Sequence, residues 1–449
     1  MFTKPLRKLN KTYDPHLHRQ IQRPITNIEA FVIIIKCSIG TGCLEMPRAF
    51  CNAGWLNGII GTFVIGGIMV YAVHLLIHAM YELCQRHKEA SLTYPECMRF
   101  ALVDGPPCLR KFSLISGGIV DFFMCLYHFG VSCVYVLFIA DNIKQLLDFY
   151  YAKYDFHMHV LALTLPLISI FLIRDLKALV PFNTLANLLF FLGFSLILLY
   201  ILEDLPPLSE RNMFNKIDRY PLYFGTVLFA MESVGVIIAI EHEMANPKDY
   251  LGFSGILSLG SFISLCLYAA FGFVGYWRYD CQVYGSITLN LPPDMLLSQL
   301  IKIMFAVAIY FSYALQGYIT VDVLWHHYFS NWFDQEDQII MEYNVRCSIA
   351  LVTVLVAVIS PDISIFLPLV GSFCLTILGF VLPALMDLCV KYNVGYGPYK
   401  YILIRDIALI TFGIFGSFIG TWVASQNIKL KYGEKGEPNE SLLYFTDLL

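Results

Sequence analysis

The sequence predicts an all-α polytopic membrane protein of about eleven transmembrane helices, with the first and the sixth broken. Three observations carry this. Hydrophobic residues make up 57% of the 449 positions and charged residues only 14%, against about 25% charged in soluble domains. Apolar runs of about 20 residues, enough to cross a bilayer, recur along the whole chain. Two of them, about 190 residues apart, contain glycines beside polar residues: Gly40-Thr41-Gly42-Cys43-Leu44-Glu45-Met46-Pro47, and Phe224-Gly225-Thr226 through Ala230-Met231-Glu232-Ser233-Val234-Gly235.

The elements follow in order. Residues 1–27 form a polar tail with Lys4, Arg7, Lys8, Lys11, Arg19 and Arg23 and no apolar stretch, so no cleavable signal peptide is expected. Spans are predicted at 28–50, 56–83, 115–143, 158–173, 179–202, 221–242, 252–277, 295–325, 345–360, 363–386 and 402–425. The fourth and fifth, and the ninth and tenth, could each be one span plus a re-entrant piece. In the first span, two glycines weaken the helix by roughly 1 kcal/mol each and Pro47 removes a donor, so it is expected to unwind over Gly40 to Leu44. Unwound backbone at that depth needs protein or a water-filled cavity to satisfy it, which makes it a candidate binding site. A kinked helix with no ligand is the plainer alternative, since Gly and Pro are common in membrane helices.

The second interrupted span makes an inverted repeat the expectation, with halves 28–202 and 221–386 joined by an outside loop at 203–220, and the substrate between the two breaks. Residues 387–427 hold a loop and the eleventh helix, and 428–449 a tail. Lys and Arg favour one set of loops by about two to one, which predicts a cytosolic N-terminus and an outside or lumenal C-terminus. The sequon at Asn439 then lies on the glycosylated side, and that at Asn10 does not.

Other classes find little support. The net charge of −4 and the absence of basic stretches interleaved with aromatics argue against nucleic acid. Most of the thirteen cysteines, among them Cys37, Cys43, Cys125 and Cys133, sit in apolar runs as small hydrophobes, and no spacing suggests a metal. No nucleophile with a paired base and no phosphate loop points to an enzyme. His74 and His78, four apart, read as packing residues. His326 and His327, with Asp334, Glu336 and Asp337, read as a solvated connector.

The segments Lys36 through Gly54, Cys133 through Ala140, Pro181 through Asn187, Phe224 through Glu232, Gly285 through Pro292 and Tyr313 through Tyr318 resemble the amino acid/auxin permease family. Within it, the chain is most similar to the proton-coupled amino acid transporter group. That resemblance implies a LeuT-type fold of eleven spans in a 5+5 inverted repeat, no cofactor, and secondary transport of small neutral amino acids such as alanine, glycine and proline across the plasma membrane or an endolysosomal membrane. Protons are the implied coupling ion. A transporter-like amino acid sensor and a proton-independent facilitator remain the alternatives.

By this likeness the substrate carboxylate meets the freed N–H groups of Gly40, Thr41, Gly42, Cys43 and Leu44, where the following half-helix presents its positive end. Carbonyls around Phe229, Ala230 and Met231, with Ser233 and Tyr127 beside them, would receive the ammonium. Glu232 is a candidate for charge or proton coupling, because an ionised acid inside a span costs about 2.5 to 3.5 kcal/mol and needs a partner or a proton. Lys36 could neutralise Glu232 or Glu45, or stand in for a bound cation. Three departures matter. Ile33 replaces a histidine of the similar transporters and cannot titrate. Glu45 stands where Ala or Gly is usual, and His128 where glutamine is common, so both become candidates for handling a proton.

Overall fold

The computed structural model describes residues 13–433 apart from 20, 22, 39, 152, 175, 204, 232, 233 and 361. Helices α1 (Asn27–Ser38) and α2 (Thr41–Ala53) share the first span and meet at a 53° bend. Helix α3 (Trp55–His87) returns, and two short helices, α4 (Tyr94–Asp104) and α5 (Pro107–Arg110), lead into α6 (Ser113–Tyr150). The fourth span is a shorter apolar segment of α7 (Phe156–Ala162) and α8 (Thr164–Phe171), followed by α9 (Leu176–Leu202). The sixth is broken into α10 (Tyr220–Ala230) and α11 (Val234–Glu243). Helices α12 (Ile256–Tyr279), α13 (Leu296–Leu324) and α14 (Gln338–Ile359) follow. The tenth span runs from α15 (Ile363–Val370) to α16 (Leu382–Lys391), and α17 (Tyr401–Gly433) closes the described chain.

Among the described residues, nine helical stretches are long and apolar enough to cross a membrane, and the bent α1–α2 pair makes a tenth. Phe156–Phe171 stands at the place of the predicted fourth span but is shorter than the others. Its end is held by Arg346 of α14, which donates to the Phe171 and Ile173 carbonyls at 3.2 Å each while Glu342 braces both Arg346 and Arg174. A cation thus meets the exposed carbonyls and negative end of α8.

Burial separates an inner from an outer ring. The most apolar windows of α6 and of the α15–α16 span are 67% and 72% buried, whereas those of α9, α14 and α17 are 28% or less and face lipid. Small residues let the inner helices touch: a β-carbon on Gly225 would strike the Pro368 carbonyl, and one on Gly371 the Gly225 carbonyl, so α10 crosses the tenth span backbone to backbone. Between α15 and α16 the backbone passes through two π-helical turns, Gly371–Leu375 and Ile377–Val381, bracketed by Pro368 and Pro383, which cannot donate to an α-helical ladder.

The first break differs from its prediction. The described backbone is extended at Gly40, with φ of −147° and ψ of −163°, and α2 is helical from Thr41 onward with Pro47 inside it. Gly42 is spent on close approach to a neighbour rather than on unwinding, and Pro47 leaves only one carbonyl of the first turn without its donor. The sixth span breaks where the sequence places it, after Ala230.

A disulfide joins Cys51, at the end of α2, to Cys281, just past α12. Neither cysteine stands out in the sequence. His326 and His327, read as a solvated connector, are exposed, but they lie in a π-helical turn extending α13, and the His327 Nδ1 is 3.0 Å from Asp121 Oδ2 of α6, which also accepts from the Tyr328 hydroxyl.

Candidate functional site

The two broken spans meet at the centre of the bundle. A β-carbon on Gly42 would lie 2.5 Å from the Ala230 Cα, so the first turn of α2 passes directly over the last turn of α10. Thr41, Gly42, Cys43, Leu44, Phe229, Ala230 and Met231 are all buried there. The N–H groups at the start of α2 and the carbonyls at the end of α10 are the ones an α-helix leaves without intrahelical partners, and they carry opposite partial charges.

Tyr268 of α12 ties both breaks together. Its hydroxyl lies 2.8 Å from the Ser38 carbonyl, the last of α1, and 2.6 Å from the Ala230 carbonyl, the last of α10. One phenolic proton serves two carbonyl acceptors, so either can accept a further donor. Ser264, one turn earlier on α12, donates to the Ser38 hydroxyl at 2.7 Å. Sequence reading missed Tyr268, since a tyrosine in an aromatic-rich span carries no signal until the fold shows what it touches.

Tyr127 and His128 adjoin on α6, their rings 5.2 Å apart in an edge contact. His128 is buried and its Nδ1 lies 2.5 Å from Gln316 Oε1 of α13, so the ring donates to that amide oxygen. Glu45 is 2% exposed on α2, and its Oε1 has no hydrogen-bond partner among the described residues. Among the described residues, the charged groups facing it are Asp141, Asp362 and Arg48. Lys36, by contrast, is exposed on α1, so the expected pairing with Glu45 is not made. Glu232, Ser233 and Asn439 lie outside the described residues.

At the bundle end opposite the disulfide, the segment before α1 is clasped against α3 and α11. Arg19 holds Glu241 through two 3.1 Å contacts and donates to the Ala90 carbonyl. Asp14 pairs with Lys248 at 3.2 Å and accepts from Tyr81, on whose ring His16 stacks. Ile25 forms a parallel bridge with Met244 beyond α11. Burial, reinforced by Arg19, holds the His16 imidazole below its usual value against the pull of Glu241 and Asp14. Burial raises the Asp14 carboxyl, but the Lys248 hydrogen bond and the His16 backbone outweigh it and leave the group below its usual value.

Together these features define a class: an all-helical membrane protein whose first and sixth spans are interrupted at one central, buried place that offers both freed donors and freed acceptors. The chain belongs to the family described as transmembrane amino acid transporter protein, whose sequence profile matches residues 23–426. It is 30% identical over 429 residues, 95% of this chain and 90% of the relative, to "Proton-coupled amino acid transporter-like protein pathetic" of Drosophila melanogaster. It is 22% identical over 416 residues, 89% of each, to "Probable amino acid transporter skat-1" of Caenorhabditis elegans. Among solved structures it is similar to MhsT in complex with L-phenylalanine, with a TM-score of 0.49 and 12% identity, over 88% of this chain and 98% of that one. Mhp1, a nucleobase-cation-symport-1 family transporter in a closed conformation with bromovinylhydantoin bound, gives a TM-score of 0.48 and 13% identity over 96% and 98%. The chain is thus a secondary amino acid transporter by family and not an enzyme.

Proposed function

We propose that this transporter moves small neutral amino acids, alanine, glycine and proline among them, by alternating access, with protons as the coupling ion. The observation that carries the reading is the meeting of the two breaks under Tyr268. The substrate carboxylate lies at the N–H end of α2 around Gly40 to Leu44, and its ammonium at the carbonyl end of α10 around Phe229, Ala230 and Met231, with Ser233 and Tyr127 at the margin. A zwitterion matches both partial charges without a cationic side chain. The close approach of Gly42 to Ala230 supports a small substrate. Glu232, following α10, belongs to the same charge balance, and residues 28–202 and 221–386 are the halves that rock about the site.

The Cys51–Cys281 bridge bears on orientation. Disulfides persist in oxidising compartments, so the bridged end faces the exterior or a lumen of the plasma or endolysosomal membrane. The N-terminal clasp then faces the cytosol, which agrees with the bias of Lys and Arg, and Asn439 falls on the glycosylated side.

The test is uptake of labelled alanine, glycine and proline by proteoliposomes, without sodium, with and without an inward proton gradient. Accumulation above equilibrium only with the gradient supports proton symport. Equilibration that ignores the gradient makes the protein a facilitator, and saturable binding without flux makes it a sensor.

A further inference from the structure

We propose that Glu45 is where this transporter takes up and releases its driving proton, in a site closed by Asp141, Asp362 and Arg48. The inference rests on the proton-driven reading above and gives it a residue that composition and family likeness do not single out from the other candidates.

Glu45 is enclosed by protein, 2% exposed, with Oε1 left without a hydrogen-bond partner among the described residues. One turn earlier on the same face of α2, Thr41 is 1% exposed and its Oγ1 likewise lacks one. Two unmet polar atoms on one buried face are a large exception to the rule that buried polar groups are satisfied. An ionised carboxylate there would face two others, Asp141 on α6 and Asp362 at the start of α15. Among the described residues the cation facing Glu45 is Arg48, three residues further along α2. Arg48 is itself shared: Asp362 and Arg219 face it, and its guanidinium donates to the Cys281 and Val283 carbonyls at 3.2 Å each. Glu45 and Asp362 therefore both face one guanidinium that already donates to two backbone carbonyls.

A proton on Glu45 removes its repulsion with the two carboxylates that face it and turns one oxygen into a donor. The site also spans several elements: Glu45 and Arg48 ride on α2, Asp141 on α6, Asp362 ahead of α15 and Arg219 ahead of α10. When the bridged end opens, water reaches Glu45 and the carboxylates on the separate elements move apart. An ion drives a conformational cycle only through unequal affinity for its states, and this geometry supplies the inequality. The step is a proton transfer alone: the Glu45 carboxylate accepts H⁺ from water at the bridged end and, after closure, yields it to water of the opposite opening.

The experiment is infrared difference spectroscopy on the purified full chain in lipid nanodiscs, wild type against Glu45→Gln, with proton-driven uptake of labelled alanine measured in parallel. A carboxylic-acid C=O band present at neutral pH in wild type and lost in Glu45→Gln is expected, together with loss of gradient-driven accumulation. A wild-type spectrum without that band, an unchanged band in Glu45→Gln, or undiminished accumulation in the variant overturns the proposal. Glu45→Asp guards against misfolding: it should keep an acid band, shifted in frequency, and part of the proton dependence, and a spectrum identical to wild type overturns the assignment. Should wild type carry no flux, the transport reading fails while the infrared arm still decides where the proton sits.

Discussion

Gly40 and Gly42 lie in the same motif, yet their substitution by alanine should have opposite outcomes. A β-carbon on Gly42 would sit 2.5 Å from Ala230 Cα, 3.0 Å from its Cβ and 3.1 Å from its N, and two of these three atoms are backbone. Relief requires α2 and α10 to separate, and overpacking of this kind costs about 1–3 kcal/mol. Because the strain falls on the state in which the broken spans touch, that cost converts to roughly a 5- to 150-fold loss of substrate affinity. On Gly40 a β-carbon meets nothing within 4 Å, and the extended backbone there admits any residue. Scintillation-proximity binding and proteoliposome uptake of labelled alanine, with melting temperature as the folding control, read the pair. Equal affinity for Gly42→Ala and wild type, or equal damage from Gly40→Ala, would refute the close-approach argument.

Tyr268→Phe leaves the Ser38 and Ala230 carbonyls sharing one donor fewer, at about 1–3 kcal/mol, so substrate affinity should fall while expression holds; unchanged affinity would remove Tyr268 from the site. Cys281→Ser should lower stability by about 2–5 kcal/mol, read as a drop in detergent melting temperature that reductant reproduces in wild type but not in the variant. Arg19→Ala abandons the 11%-exposed Glu241, a loss of about 3–5 kcal/mol for a buried pair, and should speed maleimide labelling of buried Cys84 beneath the clasp, as mapped by mass spectrometry. The clasp should also respond to pH. Docked His16 binds its proton less readily than free His16, so docking is complete above the ordinary value of 6.5 and weakens as pH falls below it. Asp14, held below 3.8, stays ionised through that range. Hydrogen exchange over residues 13–19 should therefore accelerate on mild acidification, and a flat profile would exclude His16 as the cause.

The all-helical membrane character and the place of the sixth-span break were legible in the sequence because hydropathy and glycine clusters report them directly, whereas of the eleven predicted spans ten are long and apolar enough among the described residues and the fourth is shorter. Which glycine does what was not: Gly40 bends and Gly42 yields space, a division set by the helix lying across them. The Cys51–Cys281 bridge spans 230 residues, and spacing alone cannot assign a pair among thirteen cysteines. Lys36 drew notice as a charge in an apolar run, but the twist of α1 turns it outward. Glu45 was suspect as an acid in the motif, whereas Asp141 and Asp362 escaped notice because they approach it only in three dimensions. The contact of exposed His327 with Asp121 was not legible because nothing local announces that a π-turn will carry it there.

The Cys51–Cys281 bridge also decides which walls of the vestibule can swing. It staples the top of α2 to the top of α12, and the Arg48 side chain sews the same seam a second time through the carbonyls on either side of Gln282. These two helices therefore travel as one panel. Any opening toward the bridged side has to keep these two ends together. Reducing the bond would add a second hinge to a gate built with one, and a chain that has lost it should leak rather than stall.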